Sequence, residues 1–341
     1  MKTYKIALVP GDGVGTEVVG ATREILEALA KKNGEVRFDF TEYLAGKTAY
    51  DKTGDSLSSE TLKGIAAADA TLLGAMATGL VPPPSPMGKL RKEMDLYAEV
   101  RPIQSYPGVW CFRDNLDIII VRETTQGFLA DRNMFKGNGE FMPDKDTVLS
   151  IRVLTRYACE RIARFACDYA VRLSRKKITV AHKGNVLRLG DNFFLDICRE
   201  VVKDYPGLTM NDEYIDAVAN GLISRPESYD VIVTTNMYGD VVSDEAAALV
   251  SSLVPTANFG KSAIFRPIHE SLLEIAGKNI VNPLPTVLCG VMLLDYLGVA
   301  AAAARLRKAV GKVLKAGTVK TADLGGKSST SDVAAAIIAA L

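Results

Sequence analysis

Two aspartates in the stretch YDVIVTTNMYGDVVSDE, residues 229–245, carry the first chemical suggestion. Asp240 and Asp244 are four apart, so on a helix they stand one above the other on one face. Two like charges so placed weaken an ordinary helix. A helix N-terminus offsets part of that cost, and a divalent cation would offset the rest. Hard oxygen ligands of this kind suit Mg²⁺ or Mn²⁺. An N-cap aspartate followed by a solvated one satisfies the same spacing, so both readings stand at this point. Three arginines, Arg91, Arg101 and Arg122, fall at the ends of expected elements. Guanidinium forks grip carboxylates bidentately, which suggests an acid-binding pocket. Surface solubility is the competing explanation for any one of them. With only His182 and His269 in the chain, a His-rich metal site is excluded.

The elements that must position these groups alternate. Val231, Ile232 and Val233 form a β-branched run expected to be a buried strand, broken at Gly239 before a helix through Leu249. Asp117 to Glu123, DIIIVRE, is a second buried strand that delivers Arg122 at its end. The segment GKLRKEMDLYAEVRP reads as a helix stopping before Pro102. Further strands are expected at Ile6–Val9, Val36–Phe40, Ala70–Leu73, Ile178–Ala181 and Leu208–Ile215, the last leading to Asp216. Helices are expected from the GDGVGTE turn to about Lys32, at 58–68, 147–172 and 191–204, and at 284–297, 300–316 and 331–341. The polar stretch 137–146 is an exposed arm or a hairpin. In GDGVGTE, Gly11 and Gly13 fit a dinucleotide fingerprint, but Thr16 stands where its third Gly or Ala belongs, so a Rossmann fold is not expected. Strands alternating with helices argue an α/β fold with a largely parallel sheet.

Composition narrows the partners. A net charge of +1 points to neither nucleic acid nor an anionic membrane surface. No apolar run is long enough to span a bilayer, and the N-terminus has too short an apolar core for a signal peptide. Five scattered cysteines without a C-x-x-C read as reduced core residues of a cytoplasmic protein. At 341 residues the chain has room for two domains or one large α/β domain.

Five segments in fixed order, LRKEMDLYAEVRP, DIIIVRETTQG, AHKGNV, YDVIVTTNMYGDVVSDEAA and HESLLEIAGKNIVNP, together resemble the β-decarboxylating dehydrogenases that act on isopropylmalate, isocitrate, homoisocitrate and tartrate or D-malate. The opening GDGVGTEV is similar to the start of that family too. The resemblance implies a homodimer of two α/β domains with a non-Rossmann isopropylmalate/isocitrate dehydrogenase-like fold. It divides the chain into about 1–97 plus 251–341, and a central 98–250 that forms the dimer interface and carries a clasp arm at about 133–146. Arg91, Arg101 and Arg122 match the arginines that hold the malate carboxylates. Asp240 and Asp244 match metal ligands for Mg²⁺ or Mn²⁺, completed by the partner subunit's Asp216. The partner subunit's Lys183 matches the lysine that assists removal of the hydroxyl proton, and Asn185 lies beside the nicotinamide end. The loop from His269 to Asn282 resembles the adenosine-binding loop. Its acid, Glu274, stands where NAD-specific members meet the ribose hydroxyls, so NAD is expected rather than NADP.

The implied reaction is oxidative decarboxylation of a 3-substituted (R)-malate, a small hydroxy diacid. Substrate choice is expected to lie in the loop before Arg91, where Ser85 suits a γ-carboxylate as in isocitrate enzymes and Met87 suits an isopropyl group. An isopropylmalate-like substrate is favoured; isocitrate, homoisocitrate and tartrate or D-malate are the alternatives, and a non-catalytic regulatory or binding paralogue is the different class. Several positions depart from the family pattern. Leu129 replaces the tyrosine that protonates the enol, with Phe128 beside it, so water or another group must donate. Thr124 and Gln126 stand where Asn and Glu are usual, Glu99 where Asn is usual, and HESLLE, with the charged Glu270, where a small Gly- and Pro-containing loop is usual.

Overall fold

The computed structural model describes residues 2–34, 36–128, 139–251 and 253–341. Leu129 and the first part of the expected arm lie outside them. In chain order the first elements are β1 (Lys2–Val9), α1 (Gly15–Asn33), β2 (Val36–Glu42), α2 (Lys47–Thr53), α3 (Ser59–Ala67), β3 (Ala70–Leu73) and α4 (Pro86–Glu93). The middle of the chain supplies β4 (Ala98–Gln104), β5 (Asp117–Glu123), β6 (Glu140–Asp144), β7 (Thr147–Ser150), α5 (Arg156–Arg172), β8 (Lys177–His182), α6 (Gly190–Val202), β9 (Thr209–Tyr214), α7 (Ile215–Ser224), β10 (Val231–Thr234) and α8 (Asn236–Ala248). The chain ends with β11 (Pro255–Phe259), β12 (Ala263–Pro267), α9 (Leu284–Tyr296), α10 (Ala300–Ala316) and α11 (Thr330–Ala340).

These elements form two compact units, one of Met1–Met94, Ser105–Asp114 and Val250–Leu341, the other of Asp95–Gln104 and Asn115–Leu249. In the first, the strand order is β2-β1-β3-β12-β11. All neighbours are parallel except the β11–β12 hairpin. Its core gathers Ile25, Leu26 and Leu29 of α1 with Val287 and Leu294 of α9, Leu306 and Val310 of α10 and Ile337 of α11. Helix α9 is apolar on nearly every face, as a helix enclosed by other elements must be. Each such side chain contributes roughly 1.5–3 kcal/mol by leaving water.

In the second unit the order is β4-β5-β10-β8-β9, parallel except for the β4–β5 pair. Strands buried on both sides, such as β10 with all four residues covered, explain why the Val/Ile runs were continuous rather than alternating. Burial of Cys159, Cys167 and Cys289 pushes each thiol up to about 12, so these behave as inert core residues; Cys111 alone is partly exposed. Among the described residues no helix is long and apolar enough to cross a membrane.

Four expectations about elements need correction. The segment read as a helix up to Arg101 is α4 followed by strand β4, because Asp95 takes a left-handed φ of +43° that ends helical winding. Pro102 is accommodated inside β4, opposite Ile119. The helix expected from Thr147 starts only at Arg156, where the Thr155 side chain accepts from Ala158 N–H as an N-cap. Val148 and Ile151 are exposed, Val148 on the β6–β7 hairpin and Ile151 just after it. The strand expected to run to Ile215 stops at Tyr214, and Ile215 and Asp216 open α7. Finally, α8 begins at Asn236, so Gly239 lies within the helix rather than breaking the chain before it.

Candidate active site

The site is best built from β4 and β5. Glu99 stands opposite Arg122 in their antiparallel register, and Arg101 is two residues further along β4. Side chains two apart share a sheet face, and directly opposed residues share it too. Glu99, Arg101 and Arg122 therefore project together towards α8. Gly239 makes that approach possible: a Cβ there would lie 2.6 Å from Arg122 Cγ and 2.7 Å from its Cβ. The glycine is thus a gap in the helix surface into which the arginine stem fits.

Arg122 is almost enclosed, its side chain 3% exposed. Its Nε and Nη2 donate to Asn236 Oδ1 at 3.2 and 2.7 Å, and Asn236 Nδ2 donates in turn to the Gln126 carbonyl at 3.0 Å. Its Nη1 donates to Asp240 Oδ1. Arg101 Nη1 donates to Asp244 Oδ1, with Arg101 Nη2 3.7 Å from Asp240 Oδ1. Burial works to lower the Arg101 pKa, but Glu99, Asp244 and Asp240 overcome it and hold the guanidinium above its ordinary value. The two aspartates are themselves 51% and 67% exposed, so each presents carboxylate surface to solvent. Asp240 is the fifth residue of α8, beyond the first turn where the helix dipole acts. The arginines, not the dipole, offset the like charges.

Lys183 and Asp216 meet at a second place in the same unit. Lys183 leaves the end of β8 and Asp216 lies in the first turn of α7; the Lys183 ammonium donates to Asp216 Oδ1. That hydrogen bond, with help from Asp216's own backbone N–H, holds the Asp216 carboxyl below the usual carboxylate range. The Lys183 backbone is fixed by Asp191, a fully buried carboxylate that also accepts from Arg152 Nη1. Next to it, Gly184 N–H donates to His182 Nδ1 at 3.1 Å, which leaves Nε2 to donate to Asp212 Oδ2 at 3.2 Å. Asn185 lies exposed in the following turn. Among the described residues, no three His, Cys, Asp or Glu side chains of one chain gather as a metal site. Asp216 therefore does not join Asp240 and Asp244 within a single copy.

The remaining expected site residues belong to the other unit. Arg91 lies in the last turn of α4. Ser85 caps that helix, its Oγ accepting from Gly88 N–H at 3.1 Å, and Met87 is buried with 8% exposure. Asn282 Oδ1 accepts from Leu284 N–H at 2.9 Å, and its Nδ2 donates to Asp323 at 2.8 Å, so its amide starts α9. Glu274 is exposed on the preceding short turn of helix. His269 donates through Nδ1 to the Glu270 carbonyl at 2.9 Å, and its buried Nε2 has no partner.

Sequence reasoning missed what shapes this loop. Glu17 of α1 accepts from Gly277 N–H at 2.9 Å and Asn279 N–H at 2.7 Å. Val14, Val18 and Val281, with Leu272 and Ile275, form a small apolar cluster beneath it. Gly13 has a φ of +56°, and a Cβ there would lie 2.0 Å from the Ser271 carbonyl oxygen. The Gly-rich turn thus serves a neighbouring backbone. Its Asp12, only 1% exposed, accepts from the N–H groups of Lys47, Thr48 and Ala77 and from the Thr48 hydroxyl. The one sequence signal for such roles was an acid lodged in a glycine turn.

Burial lowers the His269 pKa below the ordinary histidine value. The folded state therefore binds this proton less readily than the unfolded chain, and the histidine's effect is to reduce stability as pH falls through the ordinary value. With only two histidines to assign, a proton NMR titration should show the His269 ring changing below that value. A midpoint at or above it contradicts the buried, neutral ring.

The profile of the isocitrate/isopropylmalate dehydrogenase family matches residues 5–337. A 3-isopropylmalate dehydrogenase of Methanothermobacter thermautotrophicus is 40% identical over 340 residues, 99% of this chain and 98% of the relative. An isocitrate/homoisocitrate dehydrogenase of Thermus thermophilus is also 40% identical, over 344 residues, 99% and 98% of the two chains. The crystal structure of isocitrate dehydrogenase from Methylococcus capsulatus superposes with a TM-score of 0.89 at 35% identity, covering 99% of each chain. Together with the α/β architecture, these matches establish that the chain belongs to the isocitrate/isopropylmalate dehydrogenase family.

Proposed function

We propose that the protein is a metal- and NAD-dependent dehydrogenase that oxidatively decarboxylates a 3-substituted (R)-malate, most closely an isopropylmalate, as a cytoplasmic homodimer with shared sites. The observation that carries this reading is the pair of guanidinium forks of Arg101 and Arg122 set against Asp240 and Asp244. A basic cradle for a diacid and a hard acidic site for a cation stand side by side. Two relatives named 3-isopropylmalate dehydrogenase, at 40% and 42% identity, support the substrate class.

The donor set suits the implied groups. Asp240 and Asp244 supply exposed hard oxygens that would hold Mg²⁺ or Mn²⁺ with the partner subunit's Asp216. The buried, unpartnered Nε2 of His269 can accept from an adenine amine, and exposed Glu274 can accept from ribose hydroxyls while repelling a 2′-phosphate. When bound, the cation supplies Lewis acidity to the substrate's hydroxyl and neighbouring carboxylate, and NAD takes the hydride. The chain's own part is to bind, orient and move a proton. Arg101 and Arg122 clamp the substrate carboxylates through their Nη edges. Lys183 holds a proton at Nζ against ionised Asp216 and is assigned to relaying the hydroxyl proton. The C3 proton comes from water, since Leu129 has none to give.

NADH formation with Mn²⁺ across a panel of 3-substituted malates, with isocitrate and homoisocitrate included, tests the whole reading. Turnover fastest on isopropylmalate is expected. Mn²⁺ binding without turnover on any member would instead indicate a regulatory or binding paralogue. Leu129→Tyr should raise decarboxylation roughly several-fold, well below the about 10²–10⁴ of a full general-acid effect, because water already serves. Comparing CO₂ release with NADH formation detects it; no change shows that another group already does this job.

A further inference from the structure

Glu99 is the buried acid of the arginine cluster, its side chain 1% exposed. One of its oxygens, Oε1, lies 2.9 Å from Arg101 Nε and 3.5 Å from Arg122 Nη1. Arg101 is thereby held by its Nε, which leaves Nη1 and Nη2 to face Asp244 and Asp240. Without Glu99, two guanidinium charges would stand against the two α8 carboxylates; with it, three carboxylates surround the two cations. The burial of Glu99 and of Arg122 keeps solvent from screening this exchange.

We propose that Glu99 is a positioning residue that fixes the Arg101 fork and cancels one of the two positive charges, so that Asp240 and Asp244 keep their affinity for a divalent cation beside a basic pocket. This rests on the reading of those aspartates as the cation site and of the arginines as the diacid site. It makes a prediction that a merely structural role does not. Removing the charge of Glu99 while keeping its shape must act on cations and anions in opposite senses. Glu99→Gln retains an oxygen for Arg101 Nε but leaves the arginine pair facing only the two α8 carboxylates. Divalent cation binding weakens, and binding of a dicarboxylate strengthens. For unit charges several ångströms apart at a partly screened site, each change is on the order of tenfold.

Calorimetric titration of the full protein with Mn²⁺ alone, and separately with malonate in metal-free buffer, reads both signs directly. The expected result is Mn²⁺ affinity lower by about tenfold and malonate affinity higher by about tenfold in Glu99→Gln. Unchanged affinities, or losses of both, overturn the proposal. Should Glu99→Gln not fold, Glu99→Asn serves. Its shorter amide removes the charge and also releases the fork, so Mn²⁺ affinity falls without the gain for malonate; retained Mn²⁺ affinity overturns the proposal. A wild-type protein that binds malonate but no Mn²⁺ overturns the cation assignment beneath it, a result distinct from wild-type Mn²⁺ binding that the substitutions leave untouched.

Discussion

Replacing Asp240 by asparagine should leave a folded protein whose metal-dependent turnover has fallen by about a thousandfold or more. The fold is expected to survive because the Asp240 side chain is half exposed. Its partner Arg122 keeps Asn236 Oδ1 and Glu99 Oε1, so no guanidinium is stranded. The loss falls on chemistry. The amide is a neutral, weaker ligand, and the charge that helps confine a divalent cation is gone. Lewis-acid activation supplies several kcal/mol of transition-state stabilisation, which at about 1.4 kcal/mol per factor of ten is roughly a thousandfold. Thermal unfolding and gel filtration should match the wild type, Mn²⁺ titration should show weakened binding, and NADH formation should drop. Undiminished turnover with Mn²⁺ would refute the assignment of Asp240.

Much of the architecture was legible because short-range chemistry marks it. The strand at Ala70–Leu73 was placed to the residue, and three C-terminal helices within one residue at each end, since apolar periodicity and glycine stops are local signals. Misreadings occurred where tertiary pairing overrode local preference. AEVRPIQ carries a proline and a helix-compatible lead-in, yet β5 recruits it as an antiparallel neighbour. The Thr147–Ser150 strand looks helical in isolation and becomes a strand only through β6. No strand was expected at Pro255 to Pro267, which forms the β11–β12 hairpin through its own antiparallel pairing.

The site divides in the same way. Asp240, Asp244, Arg101, Arg122 and Lys183 stand in motifs at strand ends or on one helix face, so their residue types and spacing were visible. Asn236 and Gly239 act on Arg122, Asp191 also holds Arg152, and Glu99 reaches Arg122 only through the β4–β5 register. Gly239 illustrates why they were missed: a glycine in sequence suggests a break, whereas here it is the space an arginine stem occupies 117 positions away, between 122 and 239. No local pattern encodes that.

Arg122→Lys should lower kcat/KM by about a hundredfold to a thousandfold, mainly through KM, without unfolding the protein. The guanidinium at 122 makes three directed contacts from one rigid plane, Nε and Nη2 to Asn236 and Nη1 to Asp240. An ammonium retains the charge but is a point donor on a flexible stem. It can follow either Asn236 or Asp240, and it cannot also present a second parallel N–H to a substrate carboxylate. Charge-assisted hydrogen bonds contribute about 1.5–3 kcal/mol each, so the loss of one or two accounts for the expected factor. The stem of lysine still fits against Gly239, so packing of β5 on α8 is kept, and because a positive charge remains beside Asp240, Mn²⁺ affinity should change far less than in Asp240→Asn. Steady-state kinetics with varied substrate at saturating Mn²⁺ separates the outcomes. A fall in kcat with unchanged KM would place Arg122 in support of the proton or hydride step, away from the carboxylate clamp.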